Sequence, residues 1–262
     1  MNKKLLVLIS TPLIVGSAAN AALLVHYTFD NDNAENSGTL NDGTAVGGTA
    51  YADGIYGRAF QGNRTGANDA YIQTGLSGVD LGLGASSASG GVYTAMAWVN
   101  WNGTTQVGGA GGDHMVFGME DGPGNNSQLH HGIRDEADGS HAHYGGWGND
   151  LNNGGVVTPG EWTHLTFQFD GTDKVIYFNG VETIRGAGGP MASEALNVII
   201  GGHGRDAADP AGQSFNGLID DVRIYDEDLS EAAIMAAMNN VPEPSSAGLL
   251  ALTGLLFLRR RR

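Results

Sequence analysis

Several short stretches of the chain alternate apolar and polar positions with a period of two, the pattern of strands with one buried face. In residues 93–101, Tyr93, Ala95, Ala97, Val99 and Trp101 fall on one face, and Thr94, Met96, Trp98 and Asn100 on the other. Leu165, Phe167 and Phe169 alternate with His164, Thr166 and Gln168, and Lys174 to Phe178 leads into Asn179-Gly180, a hairpin-turn pair. In residues 215–225, Leu218, Asp220, Val222 and Ile224 share one face against Ile219, Asp221, Arg223 and Tyr225. Asp220 in phase with apolar residues predicts a buried carboxylate, tolerable only with hydrogen bonds, a cationic partner or a metal. Shorter strands are predicted over 24–30, 58–61, 70–74, 114–118, 128–134, 143–144 and 197–201. Ser230 stands as N-cap of a short helix to about Met238.

These elements predict a single all-β domain over residues 22–240, a two-sheet antiparallel jellyroll β-sandwich with short terminal helices. The 43 glycines sit between apolar runs without a Gly-X-Y period, which excludes a collagen-like chain. The polar stretch 30–43, the Gly/Ser-rich 76–91 and the long glycine-rich intervals of 102–159 read as loops. Long loops in a compact sandwich are functional or mobile. Trp98 and Trp162, lying in strong strand patterns, are assigned to the core.

The two ends read as address segments. Lys3 and Lys4 precede an apolar run, and Ala19-Asn20-Ala21 fits a cleavage site, so residues 1–21 are expected to be a signal peptide. Residues 241–262 run from Val241-Pro242-Glu243-Pro244 through an apolar segment to four terminal arginines. That segment is short for a membrane span, and the arginines would hold its inner side. An ordinary tail anchor is the alternative to a sorting signal there.

The formal charge is −15. Removing Lys3, Lys4, Glu243 and the four terminal arginines from 13 basic and 28 acidic residues leaves about −20 for the mature domain. Such a charge opposes nucleic acid and anionic membrane surfaces. It suits a soluble extracellular protein that meets neutral glycans or divalent cations, and solubility alone also accounts for it. With no cysteine, disulfides contribute nothing, and cohesion must come from the apolar core.

Residues 215–230 resemble the closing strand of the LamG-like jellyroll family, in the concanavalin A-like lectin/glucanase superfamily. Leu24-Val25-His26-Tyr27-Thr28-Phe29-Asp30 is similar to its opening strand, with Asn36-Ser37-Gly38 near its usual turn. The 93–101 strand, the segment 161–171 with Trp162, His164, Asp170 and Gly171, and Tyr177 with Asn179-Gly180 match the central part of the same pattern. The tail resembles a PEP-CTERM sorting signal. That implies an exosortase as processing partner and the envelope, outer surface or extracellular matrix of a Gram-negative bacterium as destination. The membrane would be met only through this C-terminal segment.

The family resemblance implies calcium at Asp30 and Asp220, since some members bind it near their termini. The alternative is that Asp30 caps a turn and Asp220 accepts backbone hydrogen bonds. His130, His131, His141 and His143, beside Asp135 and Asp138, could ligate zinc or copper, but no zinc motif is present, and scattered loop histidines account for them equally simply. Trp101, His143, Tyr144, Trp147 and Asn149, with Asp150, would form a glycan platform of aromatic faces and planar polar groups. Trp147 fits core and platform alike. A retaining glycosidase needs two carboxyls about 5 Å apart. The family's E-x-D-x-x-E strand is missing, as are a nucleophile elbow and a phosphate loop. The expectation is therefore a secreted, non-catalytic carbohydrate-binding or adhesion module aided by calcium. The alternatives are a structural exopolysaccharide or envelope-layer protein without a defined ligand, and, last, a glycoside hydrolase or lyase.

Overall fold

A computed structural model of the chain describes residues 21–64, 69–103, 113–120, 127–136, 138–146, 148–192, 195–202 and 213–240. The expected address segments therefore lie outside the described residues, Ala21 excepted. In chain order the elements are β1 (Leu23–Tyr27), β2 (Thr44–Val46), β3 (Ala50–Asp53), β4 (Arg58–Gly62), β5 (Tyr71–Ser77), β6 (Tyr93–Trp101) and β7 (Asp113–Glu120). They continue as β8 (Gln128–Glu136), β9 (Gly139–Gly145), β10 (Trp162–Phe169), β11 (Asp173–Phe178), β12 (Val181–Ala187), β13 (Asn197–Ile200), β14 (Gly217–Tyr225) and α1 (Glu231–Met238).

Two antiparallel sheets form the sandwich. One has eight strands in the order β12-β11-β10-β6-β14-β4-β3, with β1 also paired to β14; the other has six, in the order β2-β5-β13-β7-β8-β9. The core lies between them. From the first sheet it takes Ala95, Ala97, Val99, Leu165, Phe167, Ile219, Val222 and Ile224; from the second, Ile72, Val116, Phe117, Leu129, Ile133 and Val198. The alternation of 93–101 thus holds, with its Tyr93 face turned inward. Asn179 and Gly180 both have positive φ, 52° and 82°, so the β11–β12 hairpin closes through the turn that Asn-Gly favours.

Residues 215–225 depart from strict alternation. Register between β14 and β6 shifts between Asp220 and Arg223, and Asp221 sits at φ 50°. A bulge inserts an extra residue and turns the chain over. Leu218 and Asp220 therefore lie on the outer face while Val222 and Ile224 point inward, contrary to the single face expected for all four.

The outer face of the eight-stranded sheet is covered by α1. Met96, Val175, Tyr177, Tyr225 and Leu229 pack there with Ile234 and Ala237 of the helix. Ser230 is the N-cap, accepting from the Ala233 N–H at 3.3 Å. Trp98 belongs to this layer rather than to the interior: its Nε1 donates to the Met238 carbonyl and its ring meets His164 edge-on. Burial pushes the His164 imidazole down to about 3.

Candidate functional site

The outer face of the six-stranded sheet has a different make-up. On β7, β8 and β9 the register pairs Asp113 with Arg134, Arg134 with His141, Met115 with Gly132, and Gly132 with His143. Because Leu129, His131 and Ile133 turn inward, His130, Gly132 and Arg134 must turn outward, which gathers polar side chains on a face that carries no helix among the described residues.

Arg134 is the centre of this face. Its Nε and Nη2 donate to the two carboxylate oxygens of Asp113 at 2.6 and 2.9 Å, and Nη1 donates to Asp150 at 2.9 Å. Burial would raise both carboxyls. Hydrogen bonds from Arg134, and for Asp150 the Gly146 N–H, outweigh it and hold both below the ordinary range. Arg134 and Asp150 each keep a quarter of their side-chain surface in solvent. Beside them His143, 0% exposed, pairs through Nδ1 with Asn152 Oδ1 at 2.7 Å. Its Nε2 is then a buried acceptor without a partner among the described residues. A Cβ on Gly145 would stand 2.5 Å from that nitrogen, so glycine is needed there for the ring to lie flat. Burial, with the Arg134 charge added, pushes His143 down to about 4 and keeps it neutral. Gln213, its Nε2 3.5 Å from Asp113, likewise leaves a buried Oε1 unpartnered among the described residues. Buried acceptors are ordinarily satisfied, so these two are the polar groups of this face with hydrogen-bonding capacity left over among the described residues. This array is one arginine, two carboxylates and neutral acceptors, with a net charge of −1.

The residues expected to form a glycan platform are not gathered on one exposed surface. Trp101 is 3% exposed and lies against His114 inside the sandwich, with ring centroids 5.0 Å apart. Tyr144, 1% exposed, also points inward, its hydroxyl 2.5 Å from that of Tyr93, which in turn reaches His131 Nε2 at 2.7 Å. Neither ring has a face free for a sugar. Asn149 is engaged by Lys174, whose Nζ donates to both its backbone and side-chain oxygens at 2.8 Å. His143 and Asp150 do join the outer array, and Trp147 lies outside the described residues. Arg134, Asp113 and Gln213 were not singled out from sequence. The available signal was the parity of Arg134 with Gly132 and His130 in β8.

The four histidines are divided by the sheet: His131 faces the core, and His130, His141 and His143 face outward, with His141 against Asp138 at 3.2 Å. Among the described residues no group of three or more His, Asp or Glu side chains is placed to hold a metal ion. Asp30 and Asp220, the positions of the calcium expectation, each accept backbone N–H groups. Asp30 accepts the Arg58 N–H at 3.0 Å; Asp220 accepts those of Tyr56 at 3.0 Å and Asp221 at 2.7 Å. Both aspartates fasten the loop between β3 and β4. Burial, the dominant influence, pushes the Asp220 carboxyl up to about 7.

No curated protein matches the chain in sequence. Among solved structures, domain 4 of AbnA, a GH43 extracellular arabinanase from Geobacillus stearothermophilus solved in complex with arabinotriose, matches with a TM-score of 0.59 at 25% identity. That match covers 83% of this chain and 98% of the other. The binding domain of Paraclostridial Mosquitocidal Protein 1 matches with a TM-score of 0.56 at 13% identity, over 84% of this chain and 52% of the other. The binding domain of Botulinum Neurotoxin DC, solved in complex with SialylT, matches at 0.55 and 8% identity, over 85% and 52%. The chain thus spans about half the length of those two toxin domains, and their likeness is one of fold. Residues 240–262 match the PEP-CTERM protein-sorting motif, which marks chains for export to the cell surface. With residues 66–235 matching the superfamily as well, the two-sheet sandwich has its place: the chain belongs to the concanavalin A-like lectin/glucanases superfamily.

Proposed function

We propose that this is an exported, non-catalytic carbohydrate-binding or adhesion module that meets a neutral glycan on the outer face of β7–β9. The observation that carries the reading is the array of Asp113, Arg134 and Asp150 with the unpartnered acceptors of His143 and Gln213. A sugar presents hydroxyls that both donate and accept, and a site that fixes arginine donors beside carboxylate and imidazole acceptors complements them without charge. The domain 25% identical to this chain was solved with arabinotriose, a neutral oligosaccharide, which supports the same ligand class. The strong negative charge of the chain opposes acidic polysaccharides.

Two features support a binding role over hydrolysis. Arg134 keeps Asp113 and Asp150 ionised, so neither is a general acid at neutral pH. Asp220, raised to about 7, is closed in by backbone N–H groups. The sorting motif favours one further reading, a structural component of the exopolysaccharide layer, processed by an exosortase at the cell envelope. The purified chain screened against a polysaccharide array, with arabinotriose as the soluble probe, separates the two. Binding of neutral glycans in calcium and in EDTA alike is expected. Binding confined to calcium would restore a metal to the site, no binding would leave the structural role, and release of reducing ends would make the protein a hydrolase.

A further inference from the structure

Lys174, the one lysine among the described residues, is 1% exposed although it carries a full-length charged side chain. Lysines are almost never so buried without a reason. Its Nζ touches no carboxylate. It lies 2.8 Å from both the side-chain and the backbone oxygen of Asn149, and 5.2 Å from the centroid of the Tyr144 ring. Its stem is covered by Gly188, where a Cβ would stand 2.6 Å from Lys174 Cγ. The chain therefore holds a primary amine in contact with a side-chain amide, buried between β11 and the segment leaving β9. Burial pushes the amine down to about 8, which leaves a reactive neutral fraction at the pH of most surroundings.

We propose that Lys174 and Asn149 are joined by an intramolecular isopeptide bond, formed spontaneously once the sandwich has folded. The lone pair of neutral Nζ attacks Asn149 Cγ, the Cγ–Nζ bond forms and the Cγ–Nδ2 bond breaks. One Nζ proton leaves with the amide nitrogen, so the products are a secondary amide and ammonia. Nothing is oxidised or reduced, and no co-reactant is consumed. Asp150, next in the chain, is the charge that acts on Lys174 after burial itself. Holding amine and amide in contact replaces an encounter with a unimolecular step, which is how an unactivated amide becomes reactive. The bond would tie β11 to a position 25 residues away in sequence. In an exported chain with no cysteine it supplies the covalent staple that disulfides give other extracellular domains. It also fixes the segment that carries Asp150, and with it one wall of the Arg134 array.

Intact-mass spectrometry of the purified protein tests this directly. The expected mass is about 17 Da below that calculated from the sequence of the isolated chain, the loss of one ammonia. Cleavage at Glu161, which lies between the two residues, should leave two peptides joined through Lys174 and Asn149. Lys174→Arg and Asn149→Ala should each return the calculated mass and melt at lower temperature. The full calculated mass in the native protein would overturn the proposal. So would an ammonia loss confined to Asn149 as a succinimide, with trypsin cutting normally after Lys174.

Discussion

The two outer faces of the sandwich show how one fold divides its work. The outer face of the eight-stranded sheet is closed by α1, whose Ile234 and Ala237 pack on Met96, Val175, Tyr177 and Tyr225. Most of its polar side chains serve their own neighbours, although His164 Nε2 is buried without a partner among the described residues: Asp221 accepts from His26 Nε2 at 2.6 Å and from Arg223, and Arg223 reaches Asn240 at 2.7 Å. The outer face of the six-stranded sheet carries no helix among the described residues, although Asp113, Met115, His130 and His143 on it are buried, and it is built around an arginine held by two carboxylates. Satisfied polar groups under a helix stabilise. Under the proposed function, the fixed polar groups of the β7–β9 face, with the buried acceptors of His143 and Gln213, recognise a ligand. That reading gives structure to one side and binding to the other.

Arg134→Ala should have the largest effect. It leaves Asp113 buried and uncompensated, so stability falls by about 3–5 kcal/mol in urea unfolding, and glycan binding is lost. Arg134→Lys retains the charge but not the bidentate bond, so it should keep the fold while weakening binding. If Arg134→Lys binds as the native chain does, the array is not the site.

Ile234→Ala on the helix should cost about 2–4 kcal/mol by the same assay through the cavity it opens, with glycan affinity unchanged. A drop in affinity of the folded variant would mean that the two faces are not independent.

Acidification should act on both faces. His143 and His164 are held neutral in the fold, at about 4 and about 3, against an ordinary value near 6.5. Their contribution is fully present above pH 6.5 and is lost as pH falls toward those values, costing roughly 3 kcal/mol for His143 and roughly 5 kcal/mol for His164. Asp220 runs the other way: raised to about 7, it contributes most below the ordinary Asp range and loses that contribution as pH rises through 7. Melting temperature measured from pH 4 to 8 should therefore peak between these limits. His164→Asn should flatten the acid limb, and Asp220→Asn the neutral one. The smallest effect belongs to Ser230→Ala, about 1 kcal/mol from the lost N-cap, without consequence for binding.

Much of the sandwich was legible because a half-buried strand advertises itself by period two. The Tyr93–Trp101 alternation, the Asn179-Gly180 turn and the Ser230 cap were all read from local chemistry and hold in the structure. What failed was non-local. The bulge at Asp221 reverses the facing of the last strand, and a single left-handed aspartate carries no mark that separates it from its neighbours. The short strands β2 and β3, and the charged edge strand β12, have too little apolar alternation to register, since pairing partners rather than their own sequence hold them. The site was harder still. Aromatic residues with long loops nearby suggested a platform, yet Trp101 and Tyr144 have the parity of core positions. Arg134 stands out only once Asp113 and Asp150 are placed beside it by β7 and by the segment after β9. The backbone N–H groups that Asp30 and Asp220 accept were not legible either, because they are in place only when the loop between β3 and β4 is folded against both residues.

The most direct test is a hydrogen-exchange footprint with arabinotriose, or with whichever neutral glycan the array binds most tightly. The division of the two faces predicts slowed exchange in β7, β8 and β9 and in residues 148–152, with α1 and the outer strands of the eight-stranded sheet unchanged. Protection over α1 and β14 with none on β7–β9 would place the ligand on the wrong face and contradict the account.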